Sequence, residues 1–461
     1  MNAFCQTILI DIVLVTILCK SLRRNYDDGV ILCLSFLIVL PQSVGLVISD
    51  AIPVLTTHRL LIMVLLVFGI RNGAIRFGNI PFLGLWLGIV LTNALTLAVA
   101  PYPQDAFKLN ISFVVERMLF FLVCISSFKT EQLVQRVMHV VFASIAAISL
   151  LGVVEWRTGF KVLQIIPQFW QPDLTSRLIQ CTLPHPIHLG IMMAIGISLG
   201  VWSAARSELR SDKVVSWLAI GAMGCVLYCN VTRGPWIGAM LGGVSQFFLS
   251  SQQLRRVLAR LACLAIIPVL LMPGVRDTIF AAADSTMASH SKNNPEYASY
   301  AYRWELWRIA WDRISESPQH LYLGYGILYH TKGDFSGEFK SDVLAGRKSN
   351  FQSWDNEYAT ILLEQGVIGL ALHLLLYSWI VGTILKATFR AEGFRKEVCA
   401  TAFSVVIIVF FMMTNVKIFS QQIWFVLLAV AACGLNLARR ELPSDPDVSD
   451  ERSENSGLHG L

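Results

Sequence analysis

Apolar residues fall into long runs separated by short polar stretches along nearly the whole chain. The runs cover residues 3–19, 30–49, 58–70, 81–100, 108–128, 133–155, 186–204, 213–231, 234–250, 257–273, 357–385, 398–415 and 418–438. A hydrocarbon layer about 30 Å thick takes roughly 20 apolar residues of α-helix. The pattern therefore predicts an all-α, polytopic membrane bundle of about 12–13 transmembrane helices. The runs form two blocks, residues 1–273 and 357–438. A large polar loop, 274–356, lies between them, and a polar acidic tail, 439–461, follows. A structured loop of that length is uncommon unless it carries function.

The polar positions add an orientation. Lys20, Arg23, Arg24, Arg255, Arg256 and Lys396 belong to one set of alternate short loops, which holds most of the Lys and Arg; the opposite set holds far fewer. The excess places the first set in the cytoplasm, with the N-terminus and the large loop outside and the C-terminus inside. The first run has no basic residue before it and three after it, the reverse of a secretory signal, so it reads as a mature helix. Composition narrows the class further. The 461 residues are 55% hydrophobic and only 15% charged, with mean hydropathy +0.58, against about a quarter charged in soluble domains. The net charge of +6 reflects loop placement and points to no nucleic acid. The cysteines sit in or beside apolar runs, apart from Cys181 in a loop, with no CxxC or Cys/His metal spacing.

Several residues stand where their chemistry is costly. Arg117 lies inside the fifth run, where a guanidinium costs at least ~2.5 kcal/mol; it faces protein, water or an anion, with Asp11 or Glu155 as candidate partners on other helices. TSRLIQCTLPHPIHLG carries Arg177 ahead of the seventh run, with His185 and His188 at the mouth of that helix. These are either donors aimed at an outer cavity or interfacial anchors. CNVTRGPWIG sets Arg233 at a helix start, where backbone N–H groups and a guanidinium together suit a phosphate; snorkelling is the alternative. In the large loop, 300–315 has helical spacing. It predicts an amphipathic helix with Trp304, Trp307, Trp311 and Ile314 as the apolar stripe and Glu305, Arg308 and Asp312 as a charged one. Arg303 stands off the charged stripe. Asp355 and Asn356 close the loop, either as a helix cap or as a general base with an amide that orients it.

The order of these pieces resembles the O-antigen ligase and O-antigen polymerase superfamily, which includes exopolysaccharide polymerases. The likeness rests on Arg177 with the following His-Pro element, TRGPWIG, R-W-x-x-W-x-x-A at 303–310, G-x-G at 324–326 and D-N-E-Y…L-L-E-Q-G-V-I-G-L at 355–370. It implies a GT-C-like membrane glycosyltransferase of the bacterial inner membrane that works at the periplasmic face without metal or other cofactor. The implied donor is a glycan on undecaprenyl diphosphate, and the implied acceptor is a second glycan or lipid A–core. Membrane lipid, a flippase and a chain-length regulator are the implied partners. Arg177, Arg233 and Arg303 match the positions that grip the diphosphate; Arg117, His185 and His188 are candidate supporting residues, and His330 is a further loop histidine whose position does not match the motif. Ligases carry a histidine base where this chain has Asp355, followed by Asn356; an acid there fits a polymerase. A transporter of a small anion or a lipid-linked sugar is the competing expectation, since Arg117, Arg177 and Arg233 could line a path.

Overall fold

The computed structural model describes residues 3–46, 54–75, 81–166, 178–230, 232–271, 297–335, 338 and 354–439. Each of the thirteen apolar runs overlaps a helix: α1 (Ala3–Arg24), α2 (Tyr26–Val39), α3 (Thr57–Arg71), α4 (Leu83–Thr96), α5 (Pro103–Ser127), α6 (Glu131–Thr158), α7 (Pro186–Arg206), α8 (Arg210–Cys229), α9 (Arg233–Leu249) and α10 (Gln252–Leu271) precede the loop. The loop contributes α11 (Tyr297–Ile314), α12 (Pro318–Leu323) and α13 (Tyr329–Lys332); α14 (Glu357–Arg390), α15 (Gly393–Met413) and α16 (Gln421–Arg439) follow. Eight of the described helices are long and apolar enough to cross a membrane. The described β-structure is one two-stranded antiparallel pair, Gly45–Leu46 with Leu55–Thr56. The chain is a polytopic membrane protein with an all-α bundle.

The helix ends follow local chemistry. Asn25, Thr56, Thr130 and Asn356 accept N-cap hydrogen bonds from the first turns of α2, α3, α6 and α14. The second run was expected to stay helical to residue 49, yet α2 ends at Val39. Pro41 drives Leu40 into extended backbone (ψ 139°) and ends the helix there.

Two helices are irregular. Val114–Leu119 of α5 is a π-helical segment, which rotates Glu116 and Arg117 away from their α-helical directions. Glu116 turns to Arg59 on α3, 2.8 Å away. Arg117 stacks over Trp424 of α16 at 4.0 Å and lies 5.5 Å from the Phe113 ring. The carboxylates expected as its partners are engaged elsewhere: Asp11 accepts from Thr57 at 2.7 Å, and Glu155 holds Lys161 at 2.7 Å. The second irregularity is in α14, which breaks at Gly366 (φ 64°, ψ −166°).

The break at Gly366 docks the loop. It strips Leu363 and Glu364 of their helical partners, and their carbonyls accept instead from Tyr325 and Gly326 N–H groups, both at 2.9 Å. The two backbones meet so closely that a Cβ on Gly324 would stand 2.4 Å from the Glu364 carbonyl carbon, and one on Gly366 2.5 Å from Tyr322. Glycine is required on both sides of this contact. Tyr302, Leu306, Ile309, Ala310, Ile314 and Trp354 then form one small core with Ala359, Leu362 and Leu363 of α14.

That core divides the expected apolar stripe of α11: Ile314 lies in it and Trp307 packs against it, while the other two members do not. Trp304 and Trp311 are 61% and 54% exposed, while Leu306, Ile309 and Ala310 are fully buried. Both stripes have helical spacing, and the one facing α14 is the one covered. The charged stripe forms as expected, with Arg308 paired to Glu305 and Asp312.

Candidate functional site

The α15–α16 turn, Thr414–Ser420, meets several of the residues singled out in the sequence. It joins α15 to α16 at the end of the bundle where α7, α9 and α14 begin. The Arg303 Nε donates to the Asn415 carbonyl at 3.3 Å. Arg233 opens α9, and the next residue, Gly234, packs against Met412 at the end of α15. His188 is fully buried; a ring nitrogen donates to the Lys417 carbonyl at 3.3 Å, and its ring meets Phe419 edge-on at 4.2 Å. His185 caps α7 by accepting from Ile187 N–H, and burial lowers its pKa. Arg177 lies outside the described residues. At the opposite end, Arg136 pairs with Asp28 and Arg395 with Glu131.

Lys417 was legible only as one loop charge among several, yet it anchors a buried network. Its Nζ donates to His330 Nε2 at 2.9 Å. His330 Nδ1–H then donates to Glu364 at 2.5 Å, and the same carboxylate accepts from Leu328 N–H at 2.6 Å. The two contacts fix the imidazole as the Nδ1–H tautomer, neutral. Burial and then the Lys417 ammonium hold its pKa below the ordinary histidine value, against the opposing pull of Glu364. Glu357 accepts from Ile418 N–H at 3.1 Å and lies in the electrostatic field of Lys417 and Arg117. Cations and carboxylates thus alternate around one turn, where low dielectric strengthens each interaction. Glu357 and Glu364 sit inside the D-N-E-Y…L-L-E-Q-G segment, but nothing local in the sequence reveals that their partners lie on another connection.

Asp355 stands half-buried between two fixed neighbours. Trp354 is in the small core. Asn356 is buried, with its side-chain oxygen accepting from Ala359 N–H at 3.0 Å and its carbonyl accepting from Thr360 Oγ1. Asn356 is therefore the α14 cap, and it sets the backbone that presents Asp355. A ladder of rings supports this corner: His320 on Tyr325 at 3.9 Å, Tyr325 on Tyr329 at 4.4 Å, then Phe335 and Trp354.

A family model described as O-antigen ligase matches residues 218–374. Over those residues the chain is similar to this family. The match runs from α8 into α14 and takes in Arg233, Arg303, His330, Asp355, Asn356, Glu364 and the Gly366 break. The match supports, over those residues, the resemblance seen in the sequence to the O-antigen ligase and polymerase superfamily. Arg117, Arg177, the His185-His188 element and Lys417 fall outside the matched segment. No curated protein matches the chain.

Proposed function

We propose that this protein belongs to the O-antigen ligase and polymerase superfamily and polymerises glycan units carried on undecaprenyl diphosphate, for O-antigen or exopolysaccharide, at the periplasmic face of the bacterial inner membrane. In this reading the N-terminus is periplasmic and the C-terminus cytoplasmic. A flippase supplies the donor, and a chain-length regulator limits the product. One observation supports the reading: Arg303 and the helix start that bears Asp355 meet the turn that carries Lys417, and the helix start that bears Arg233 packs against the end of α15 just before it.

The chemistry that fits this arrangement is direct displacement. The acceptor hydroxyl oxygen attacks the anomeric carbon, and its proton passes to the Asp355 carboxylate. The bond from that carbon to the diphosphate oxygen breaks, its electron pair leaves with the diphosphate, and the anomeric configuration inverts. Arg233 and Arg303, with Arg177, receive the growing charge through bidentate hydrogen bonds. Asn356 positions Asp355 through the α14 cap, and the His330–Glu364–Lys417 network ties the loop to the turn that holds Arg303.

Purified Asp355→Asn, assayed on lipid-linked oligosaccharide, is expected to lose ~10²–10⁴ in turnover; near-wild-type turnover removes Asp355 from the mechanism. The choice between polymerase and ligase to lipid A–core is read from the lipid-linked pool of a deletion strain. Single repeats accumulate if a polymerase is lost, and long lipid-linked chains accumulate if a ligase is lost.

A further inference from the structure

A cleft of about 490 Å³ opens beside the cation-bearing turn, and the site described above does not use it. Its walls are Gln42, Ser43, Val54 and Thr56 beside α2 and α3, the start of α3, the face of α5 from Asp105 to Glu116, and Phe419 and Gln421 at the head of α16. Leu328 completes the rim; its N–H is the one held by Glu364. Phe419 is two residues beyond Lys417. The cleft therefore shares an edge with the buried network.

The cations in this cleft are already spent. Arg59 gives Nε to Glu116 at 2.8 Å, one terminal nitrogen to Ser112 at 2.8 Å and the other to the Val54 carbonyl. Lys108 pairs with Asp105 at 3.3 Å, and Asp105 also holds Lys332 from the loop. The unmet need is of the opposite kind. His58 is 1% exposed, and its Nε2–H donates to the Leu40 carbonyl, so its Nδ1 is a bare acceptor. Neither that atom nor the Gln421 Oε1 has a partner among the described residues. Buried acceptors without donors are costly, and a diphosphate, itself all acceptor, cannot serve them. A ligand rich in O–H groups can, and the Phe419 side chain offers an apolar wall for the C–H face of a sugar ring.

We propose that this cleft binds the acceptor glycan through its hydroxyl groups, separately from the donor's diphosphate. The assignment deepens the transferase reading and rests on it. It divides the work at the turn: Arg233 and Arg303 serve the donor side, while His58 and Gln421 serve the acceptor side.

The test uses the full chain in nanodiscs, with lipid-linked oligosaccharide as donor. The acceptor is the free oligosaccharide released by mild acid from the host's own lipid-linked pool. Gln421→Leu removes an acceptor atom at similar volume and is expected to raise the acceptor KM at least fivefold while donor KM and kcat stay within twofold. Gln421→Glu keeps an oxygen there and is expected to stay near wild type. His58→Phe, which removes the second acceptor and keeps a ring, is the independent variant. Calorimetry of the free oligosaccharide on the same proteins separates the two readings. Transfer by wild type with an unchanged acceptor KM in Gln421→Leu and His58→Phe overturns the cleft and leaves the transferase standing. Oligosaccharide binding that weakens in those variants, without any transfer by wild type, keeps the cleft as a glycan site and removes the transferase. No binding by wild type overturns the cleft.

Discussion

Alanine at Gly366 will detach the loop from α14 without unfolding the bundle. Gly366 has φ 64° and ψ −166°, a region essentially reserved for glycine, and a residue with a Cβ pays about 2 kcal/mol to stay there. The new Cβ would also stand 2.5 Å from the Tyr322 carbonyl and 2.7 Å from Gly324 N. Both are backbone atoms and cannot swing aside. The surfaces must part, and the Tyr325 and Gly326 N–H bonds to Leu363 and Glu364 go with them, at about 1 kcal/mol each. The total is about 4 kcal/mol, which raises the undocked population roughly a thousandfold. Amide hydrogen exchange at Tyr325 and Gly326 reads that population directly, and transfer activity should fall with it. Gly382, on the same helix with open space around its Cα, is the control; alanine there should leave exchange at Tyr325 unchanged. Wild-type protection and turnover in Gly366→Ala would refute the claim that this backbone contact holds the loop.

Three further outcomes follow from other contacts. Because the docked His330 has a lowered pKa and a detached one titrates near ~6.5, the detached loop binds the proton more readily; docking weakens as pH falls below ~6.5, and Leu328 amide protection, corrected for intrinsic exchange, should fall between pH 7 and 5 in wild type but not in His330→Gln. Glu116→Gln leaves the Arg59 guanidinium, 15% exposed, with half its support and should cost about 3 kcal/mol, seen as a lower melting temperature in detergent, most of it recovered in Arg59→Met/Glu116→Leu; equal losses in the single and double variants would count against the pair. Trp304 and Trp311 face outward together, so spin labels at these two positions should report headgroup depth, and fully aqueous labels would contradict that placement.

The helices were legible because membrane thickness writes itself into run length, and each run overlaps a helix. Their irregularities were not. The early stop of α2 was readable in Pro41 but hidden by apolar residues beyond it. On α11, the tryptophan stripe and the Leu306–Ile309 stripe both have helical spacing, and only α14 decides between them. Of the candidate site, the residues beside helix starts, such as Arg233 and Asp355, could be picked out from the sequence. Glu364, His330 and Lys417 form a network only because Gly366 breaks one helix and the Thr414–Ser420 turn reaches across to meet it. Asn356 was legible in both its roles, and the hydrogen bond to Ala359 identifies it as a cap.

The π-helical segment in α5 makes the spacing of the chain as significant as its composition. A protein in which Val114–Leu119 closed into regular α-helix would keep every apolar run and its hydropathy profile. Everything on one side of the segment would then swing by about 100° relative to the other. Glu116 would no longer reach Arg59 while Arg117 lies against Trp424, and the cleft wall built from Asp105, Lys108 and Ser112 would turn out of register with α3. Homologues that preserve this site should therefore tolerate many apolar exchanges along α5 but keep its π-helical turn.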